Sequence, residues 1–269
     1  MQIYKDMNIG TAKITSKETQ GIKHYLLDYV EPDKRYNVSE YKKEAEKCIE
    51  EILLRNKVPI IVGGTGLYID AIIYGIEFQN EEIDEEFRNY LNEQAEKEGL
   101  EKLYREACLI DPQAMEKISP NDQKRIIRVL EIYKKTGKTK TEQEKESRKN
   151  DVKYNFKVFA IDMNRNLLYE RINNRVDKMI EEGLIEEVKT ILSKYSKFPT
   201  AMQGLGYKEV VEYLQGNISK EEMIEKIKKE TRHYAKRQST WFRKNKETIW
   251  LDGIKSTEEN VGIILQYLK

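Results

Sequence analysis

The residues most able to do chemistry begin with a Gly-Gly-Thr-Gly turn at residues 63–66. The apolar residues 58–62 before it predict a short strand buried on both faces, and a helix pattern begins at Leu67. Glycines between a strand and a helix leave backbone N–H groups free beside the Thr65 hydroxyl, which suits an anionic or polar ligand. Short glycine turns also occur without a ligand, so the spacing alone leaves both interpretations open.

A second set of side chains is cationic. Arg125 and Arg128 stand three residues apart in a predicted helix and therefore share one face, and Lys124 lies beside them near the helix start. Paired arginines near the positive end of a helix suit phosphate groups. Arginines are also common on solvated amphipathic helices, and the spacing alone does not separate the two.

The third set lies in a long predicted helix at residues 219–246. Between residues 221 and 246 nine Lys and Arg side chains stand against four Glu, and Tyr234, Trp241 and Phe242 interleave with the basic second half. Cations mixed with aromatic rings suit a nucleic-acid backbone or a diphosphate. The alternative is an amphipathic helix with core aromatics and solvated lysines.

Composition narrows the class of protein. The 269 residues carry a net charge of only +1 with 35% charged residues, which predicts a soluble chain of one large or two ordinary domains. No apolar window nears the roughly 18 residues that a membrane span needs, and no signal peptide opens the chain, so we expect a cytoplasmic protein. His24 and His233 are the only histidines, and Cys48 lies far from Cys108, which disfavours a zinc site and predicts two free, buried thiols.

The elements that must position these side chains begin with an α/β rhythm. A helix at residues 38–55, with Ser39 as a possible N-cap, precedes the predicted strand at 58–62, and the helix from Leu67 follows it. A helix, a buried strand and a second helix in this order are typical of an α/β protein with a parallel sheet.

The sequence pattern changes at residues 79–150, which contain no strand pattern and are dominated by helical patterns rich in charged residues. We interpret this block as a helical insertion in an α/β core made of residues 1–78 and 151–269. The core resumes with a predicted strand at 156–162 and ends with another at 248–251. A second glycine-bearing turn at residues 201–209 opens a predicted helix that ends at Leu214. The remaining predicted helices are residues 83–98, 100–109, 122–135, 164–182, 184–195 and 257–268.

Five stretches, in the same order along the chain, resemble the tRNA dimethylallyltransferase (tRNA isopentenyltransferase) family, which prenylates the adenine beside the anticodon. They are Gln-Ile-Tyr-Lys-Asp-Met-Asn-Ile-Gly-Thr-Ala-Lys (2–13), Val-Gly-Gly-Thr-Gly-Leu-Tyr (62–68), Arg-Ile-Ile-Arg-Val-Leu-Glu (125–131), Gly-Leu-Gly-Tyr-Lys-Glu (204–209) and Tyr-Ala-Lys-Arg-Gln-Ser-Thr-Trp-Phe-Arg (234–243). Each stretch is weak by itself, but five collinear stretches spanning almost the whole chain are specific.

The resemblance implies a P-loop NTPase-like parallel sheet core with a helical insertion that grips the anticodon stem-loop. It implies transfer of a dimethylallyl group from dimethylallyl diphosphate to N6 of a flipped-out adenine, with Mg²⁺ on the diphosphate. It also implies a monomer. No residue of this chain is predicted to ligate a metal.

The resemblance further assigns roles to individual residues. Thr65 would contact the target adenine, and Gln2 would belong to the family's Asp-Ser-x-Gln stretch at the tRNA interface. The remaining tRNA contacts would be Arg88, Lys124, Arg125, Ile126, Ile127 and Arg128. Lys236, Arg237 and Arg243 would supply positive charge near the diphosphate or the RNA backbone.

The chain departs from the family pattern at its start. Family members begin with a strand, a Gly-x-x-x-x-Gly-Lys-Thr phosphate loop and a helix, whereas these 269 residues contain no Gly-x-x-x-x-Gly-Lys-[Ser/Thr] sequence. That loop supplies a phosphate cradle and a Mg²⁺-binding hydroxyl, and the Asp of Asp-Ser-x-Gln is the expected general base. We therefore expect an N-terminally truncated form that is inactive or nearly so.

Two other functions stay open. A non-catalytic tRNA-binding module would use the insertion and the basic helix, and its tRNA binding would depend on salt but not on a prenyl diphosphate. An adenylate prenyltransferase would modify a free nucleotide. The large insertion with Arg125 and Arg128 argues against the second, because a small nucleotide needs no gripping domain.

Overall fold

A computed structural model describes residues 1–78, 84–148 and 152–268. In chain order its helices are α1 (Val38–Leu54), α2 (Gly66–Ile73), α3 (Glu85–Glu98), α4 (Leu100–Ile110), α5 (Pro112–Met115), α6 (Gln123–Thr136), α7 (Lys140–Glu146), α8 (Arg165–Glu181), α9 (Leu184–Lys194), α10 (Tyr207–Leu214), α11 (Lys220–Phe242) and α12 (Thr257–Gln266). The strands β1 (Phe159–Asp162) and β2 (Ile249–Asp252) form a parallel pair. None of the described helices is long and apolar enough to cross a membrane.

The chain divides into two compact units, one of Met1–Ile72 with Tyr154–Lys269 and the other of Ile73–Lys153. We call them the large unit and the helical unit. The α/β class with a parallel sheet is confirmed, and β1 and β2 lie at the two predicted strands after residue 151. Predicted helix ends agree with the structure to within a few residues; residue 83 of the predicted 83–98 helix and residue 150 lie outside the described part.

The predicted buried strand at residues 58–62 is wrong. These residues adopt no regular secondary structure, and the side chains of Ile60 and Val62 are 79% and 90% exposed. A strand needs a neighbour to accept its backbone hydrogen bonds, and no described strand pairs with this segment. Only Ile61 packs inward, against the cluster around Ala45 and Ile49 of α1.

Capping residues fix where the long helices begin. Asn37, rather than the predicted Ser39, caps α1: its side chain accepts from the backbone N–H of Ser39 and Glu40, and Glu40 reaches back to the Asn37 N–H. Ser219 and Glu222 form the same reciprocal capping box on α11. These local bonds satisfy backbone donors that a helix start leaves free, so the starts of α1 and α11 follow from short sequence motifs.

The core of the large unit forms around α8, α9, α10 and α11. A carboxylate ties the first residues of the chain to it: Glu187 accepts from the backbone N–H groups of Asn8, Ile9 and Gly10 at 2.8, 2.7 and 3.2 Å, and from the Tyr207 hydroxyl at 2.7 Å. Four donors on one carboxylate fix this loop against α9 and α10.

The core of the helical unit lies between α3, α4 and α6, where Leu91, Leu103, Ala107 and Val129 are almost fully buried. The two cysteines, one in each unit, are free thiols, as predicted, but both are half-buried rather than buried. Each unit therefore buries an apolar cluster of its own.

Candidate functional site

The Gly-Gly-Thr-Gly turn lies against α11. Gln238 Nε2 donates to the Gly64 carbonyl oxygen at 3.0 Å, and the Tyr234 hydroxyl approaches the same oxygen at 3.5 Å. One helical turn further, the Trp241 indole N–H donates to Asp70 of α2 at 3.0 Å. Tyr234, Gln238 and Trp241 follow helical i, i+4, i+7 spacing, so one face of α11 holds both the turn and α2.

Two of the glycines permit this close approach. A Cβ atom on Gly64 would lie 1.9 Å from Gln238 Nε2, and one on Gly66 would lie 2.4 Å from the Trp241 ring. A Cβ on Gly63 would meet nothing within 4 Å. The glycines at 64 and 66 therefore serve to bring the backbone against α11.

Thr65 stands at the start of α2, where its carbonyl accepts from the N–H groups of Tyr68 and Ile69 at 2.9 and 3.2 Å. Its side chain is exposed, and no group in the described part of the chain bonds to its hydroxyl. Three residues further along α2, Tyr68 stacks on Tyr41 with ring centroids 4.7 Å apart, and burial raises the pKa of Tyr68 to about 12. A rigid base thus presents one free hydroxyl to solvent.

The predicted cations of α11 fall into two groups. Lys236 and Arg237 are exposed, and no carboxylate in the described residues pairs with either. Arg243 instead forms an exposed ion pair with Asp162 at 3.2 Å and lies over the Trp250 ring at 4.9 Å. Lys236 and Arg237 therefore offer charge that no carboxylate among the described residues neutralises.

Gln2 uses its side-chain amide inside the large unit. Its Nε2 donates to the carbonyl oxygens of Thr11 and Ala12 at 3.0 and 3.1 Å. This bond fixes the loop at residues 8–12, which Glu187 also holds. Gln2 therefore has a positioning contact within the chain, and its predicted tRNA contact stays a prediction.

In the helical unit, Glu131 of α6 lies next to two of the arginines that are predicted to contact tRNA. Arg88 binds it at two points, with Nε and Nη2 at 2.6 and 2.9 Å from the two carboxylate oxygens, and Arg128 lies 3.8 Å away. The Glu131 hydrogen bonds raise the pKa of Arg88. Arg125 pairs with Asp122, the N-cap of α6, whereas exposed Lys124 has no carboxylate partner among the described residues.

The structure corrects the predicted tRNA contacts of Ile126 and Ile127. Their side chains are 0% and 4% exposed and pack in the core of the helical unit. The amphipathic period of α6 decides this, because residues between two outward-facing arginines turn inward. Their side chains hold α6 in place and do not reach a ligand.

An open cavity of about 600 Å³ adjoins the start of α6. The residues that line it are Asn92, Ser119, Asn121, Asp122, Gln123 and Lys124. Two of these lining residues are hydrogen-bonded to each other: Gln123 Nε2 donates to Asn92 Oδ1 at 2.9 Å. Among the residues that the structure describes, no group of three His, Cys, Asp or Glu side chains could hold a metal ion.

The sequence patterns missed Gln238, Asp70 and Glu131. The helical spacing of Gln238 places it on the same face as Tyr234 and Trp241. That spacing does not show whether its side chain contacts another part of the protein or is solvated. The partners lie 171 residues apart for Trp241 and Asp70 and 43 residues apart for Arg88 and Glu131. Only folding brings such pairs together.

The glycine turn, the cationic helices and β1 all fall within one family pattern. The family model described as IPP transferase matches residues 2–245, and the chain belongs to this family. The family predicted from the five sequence stretches is thereby confirmed.

The names of individual relatives agree with this family. A protein of Thermoanaerobacter sp. (strain X514) named tRNA dimethylallyltransferase is 50% identical over 276 residues, covering 100% of this chain and 87% of its own length. A protein of the same name from Acetivibrio thermocellus is 47% identical over 271 residues, with the same two coverages.

Solved structures of similar proteins agree with the same family. The tRNA isopentenylpyrophosphate transferase of Bacillus halodurans superimposes with a TM-score of 0.71 at 37% identity, covering 99% of this chain and 84% of that one. A eukaryotic dimethylallyltransferase described as acting on tRNA superimposes with a TM-score of 0.73 at 30% identity, covering 94% of this chain and 65% of that one.

Proposed function

We propose that this protein transfers a dimethylallyl group from dimethylallyl diphosphate to N6 of the adenine next to the anticodon in tRNA. The observation that carries the proposal is the 50% identity, over the whole chain, to a protein named tRNA dimethylallyltransferase. The arrangement of the glycine turn on α11 and the unpaired cations support it.

The reaction makes two demands on the protein. A bond forms between N6 and C1 of the dimethylallyl group, the C1–O bond breaks, the diphosphate leaves with the electron pair and the amine loses a proton to a base. The exocyclic amine is a weak nucleophile, so it must be positioned, and the leaving diphosphate needs nearby positive charge.

We assign the acceptor side to Thr65 and Gln2. The free Thr65 hydroxyl on a rigid base can hydrogen-bond an adenine that has been flipped from its stack. Gln2 Oε1 is left to accept from RNA while its amide holds the loop at residues 11–12.

We assign the phosphate contacts to the cations. Lys236, Arg237 and Arg243 would attract the diphosphate or RNA backbone. Lys124, Arg125, Arg128 and Arg88 would contact tRNA phosphates through the helical unit, where Glu131 holds Arg88 and lies within 3.8 Å of Arg128. No carboxylate in the part of the chain that the structure describes pairs with Lys124, Lys236 or Arg237, which supports these roles, because a phosphate then need not displace a carboxylate.

We propose a P-loop NTPase-like core, with residues 79–150 as the tRNA-binding insertion, and a monomeric cytoplasmic enzyme. Mg²⁺ would be bound by diphosphate oxygens. The described residues include no acidic or histidine cluster that would hold the ion, so no step of the reaction is assigned to a protein-bound metal.

The test measures binding and transfer separately on this chain. Binding of an anticodon stem-loop RNA is followed by fluorescence anisotropy, and transfer is followed with radiolabelled dimethylallyl diphosphate. We expect binding that weakens with salt. In the chain fused to a relative's phosphate-loop segment, Thr65→Ala should lower transfer more than donor binding. A chain that neither binds nor prenylates this RNA contradicts the proposed function. Transfer at the rate of a relative that carries the phosphate loop contradicts only the expected inactivity.

The two other functions give different results in the same assays. A non-catalytic tRNA-binding module would bind the stem-loop equally well with and without dimethylallyl diphosphate, and would show no transfer even when fused to a relative's phosphate-loop segment. An adenylate prenyltransferase would prenylate AMP in preference to the stem-loop. The relatives' names favour neither alternative.

A further inference from the structure

We propose that Gln238 is a positioning residue for Thr65 and acts through the carbonyl of Gly64. The inference rests on the function proposed above, in which Thr65 contacts the acceptor adenine. The Gln238 side-chain amide donates to Gly64 O at 3.0 Å, and that carbonyl belongs to the peptide group that leads directly into Thr65.

A planar peptide group transmits this contact. The Gly64 carbonyl and the Thr65 N–H share one rigid plane, so fixing the oxygen fixes the direction in which the Thr65 Cα leaves the turn. The flanking glycines would otherwise allow many backbone conformations, because they lack the Cβ that restricts other residues. A single bond from a helix side chain therefore restricts where the backbone places Thr65, from which its hydroxyl projects.

A second contact holds the other side of Thr65. The Trp241 ring occupies the space that a Cβ on Gly66 would need, and its indole N–H donates to Asp70 of α2. Thr65 thus lies between two contacts made by one face of α11. Trp241 fixes the helix that follows Thr65, and Gln238 fixes the peptide that precedes it.

The test removes the Gln238 donor while keeping its bulk. Gln238→Met lacks the amide, and Gln238→Lys restores a donor of similar reach. The first readout is base preference: the Kd for a stem-loop RNA with purine riboside at the target position, divided by the Kd for the adenosine form. We expect Gln238→Met to reduce this ratio about fivefold, the usual size of one net hydrogen bond, and Gln238→Lys to restore most of it.

The second readout needs no RNA. The N–H groups of Tyr68 and Ile69 bond to the Thr65 carbonyl, so a loosened turn should speed their hydrogen exchange. We expect faster exchange at these two amides in Gln238→Met, with the melting temperature unchanged. A general structural defect would instead lower the melting temperature and leave the base preference intact.

Two glycines provide a matched pair of variants. Gly64→Ala places a Cβ 1.9 Å from Gln238 Nε2, which displaces the amide and should reduce base preference as Gln238→Met does. Because both changes remove one bond, the double variant should lose no more than either single one. Gly63→Ala, whose Cβ meets open space, should leave the preference unchanged.

The outcomes separate the two proposals. If the unaltered protein prefers adenosine but Gln238→Met keeps that preference, or the two variants add, the positioning role is overturned while the proposed adenine contact stands. If the unaltered protein has no preference for adenosine, the adenine contact of the proposed function fails, and the role of Gln238 fails with it.

Discussion

Asp111 and Thr141 are joined by two hydrogen bonds across the helical unit: the Thr141 N–H and hydroxyl donate to the two oxygens of the Asp111 carboxylate at 2.8 and 2.7 Å. The same carboxylate caps α5 by accepting from the Ala114 N–H at 3.0 Å. Asp111 therefore fixes α7 to α5. It is only 2% exposed, so its charge is neutralised by these donors rather than by water.

This bonding predicts a pH dependence of the helical unit. Burial acts to raise the pKa of Asp111, but the Thr141 and Ala114 donors outweigh it and hold the pKa below the ordinary value. A folded pKa below the unfolded one, about 3.9, means that the stabilisation is complete above that value and is lost as pH falls through the folded pKa. We expect Asp111→Asn to destabilise the unit at pH 7 and progressively less below about pH 4.

Hydrogen exchange of α5 and α7 amides at several pH values measures this loss. Asn presents an NH₂ donor where one carboxylate oxygen now accepts, so the variant cannot keep all three bonds. Glu96→Gln, an exposed carboxylate on α3, is the control. An Asp111→Asn effect of equal size at pH 7 and pH 3 would contradict the linkage.

Arg88→Met should destabilise the helical unit by about 2 kcal/mol. The change leaves the Glu131 carboxylate, which is 7% exposed, without the guanidinium that binds it at two points. Exchange of α6 amides gives the measurement. Arg125→Met is the control, because its ion pair with Asp122 is largely exposed and should contribute less than about 0.5 kcal/mol. Equal losses in the two variants would show that burial of Glu131 is unimportant.

Gly10→Ala should destabilise the large unit by roughly 2 kcal/mol. Its Cβ would lie 2.6 Å from the Tyr207 ring and 2.8 Å from a Leu184 methyl, and both of those side chains are fully buried. Gly262→Ala is the matched change, since its Cβ in α12 meets open space and Ala favours a helix. Urea unfolding followed by tryptophan fluorescence, which reports only on the large unit, should show opposite shifts of the midpoint.

Lys124→Gln should weaken stem-loop binding and lower the salt dependence of that binding. If Lys124 contacts one phosphate, the slope of log K against log salt concentration should fall by about 0.7 to 0.9. Lys102→Gln is the control, because Lys102 is an exposed lysine of the same unit that already pairs with Glu98. An unchanged slope for Lys124→Gln would remove this residue from the proposed tRNA contacts.

Much of the fold follows from local sequence. The starts of α1 and α11 are set by capping boxes within four residues, and the amphipathic period of α6 separates outward arginines from inward isoleucines. The failure at residues 58–62 has the opposite cause. Its apolar composition is that of a buried strand, but a strand exists only where another strand accepts its hydrogen bonds.

By itself, the sequence determined the family, the α/β class, the order of the helices and the Gly-Gly-Thr-Gly turn that precedes α2, because caps, periodicity and collinear motifs are local. The tertiary structure decided which polar groups are engaged. It placed Gln238 on the Gly64 carbonyl, Trp241 on Asp70 and Arg88 on Glu131, and it buried Ile126 and Ile127. Those contacts join residues far apart in the chain, so they depend on packing, which no local pattern records.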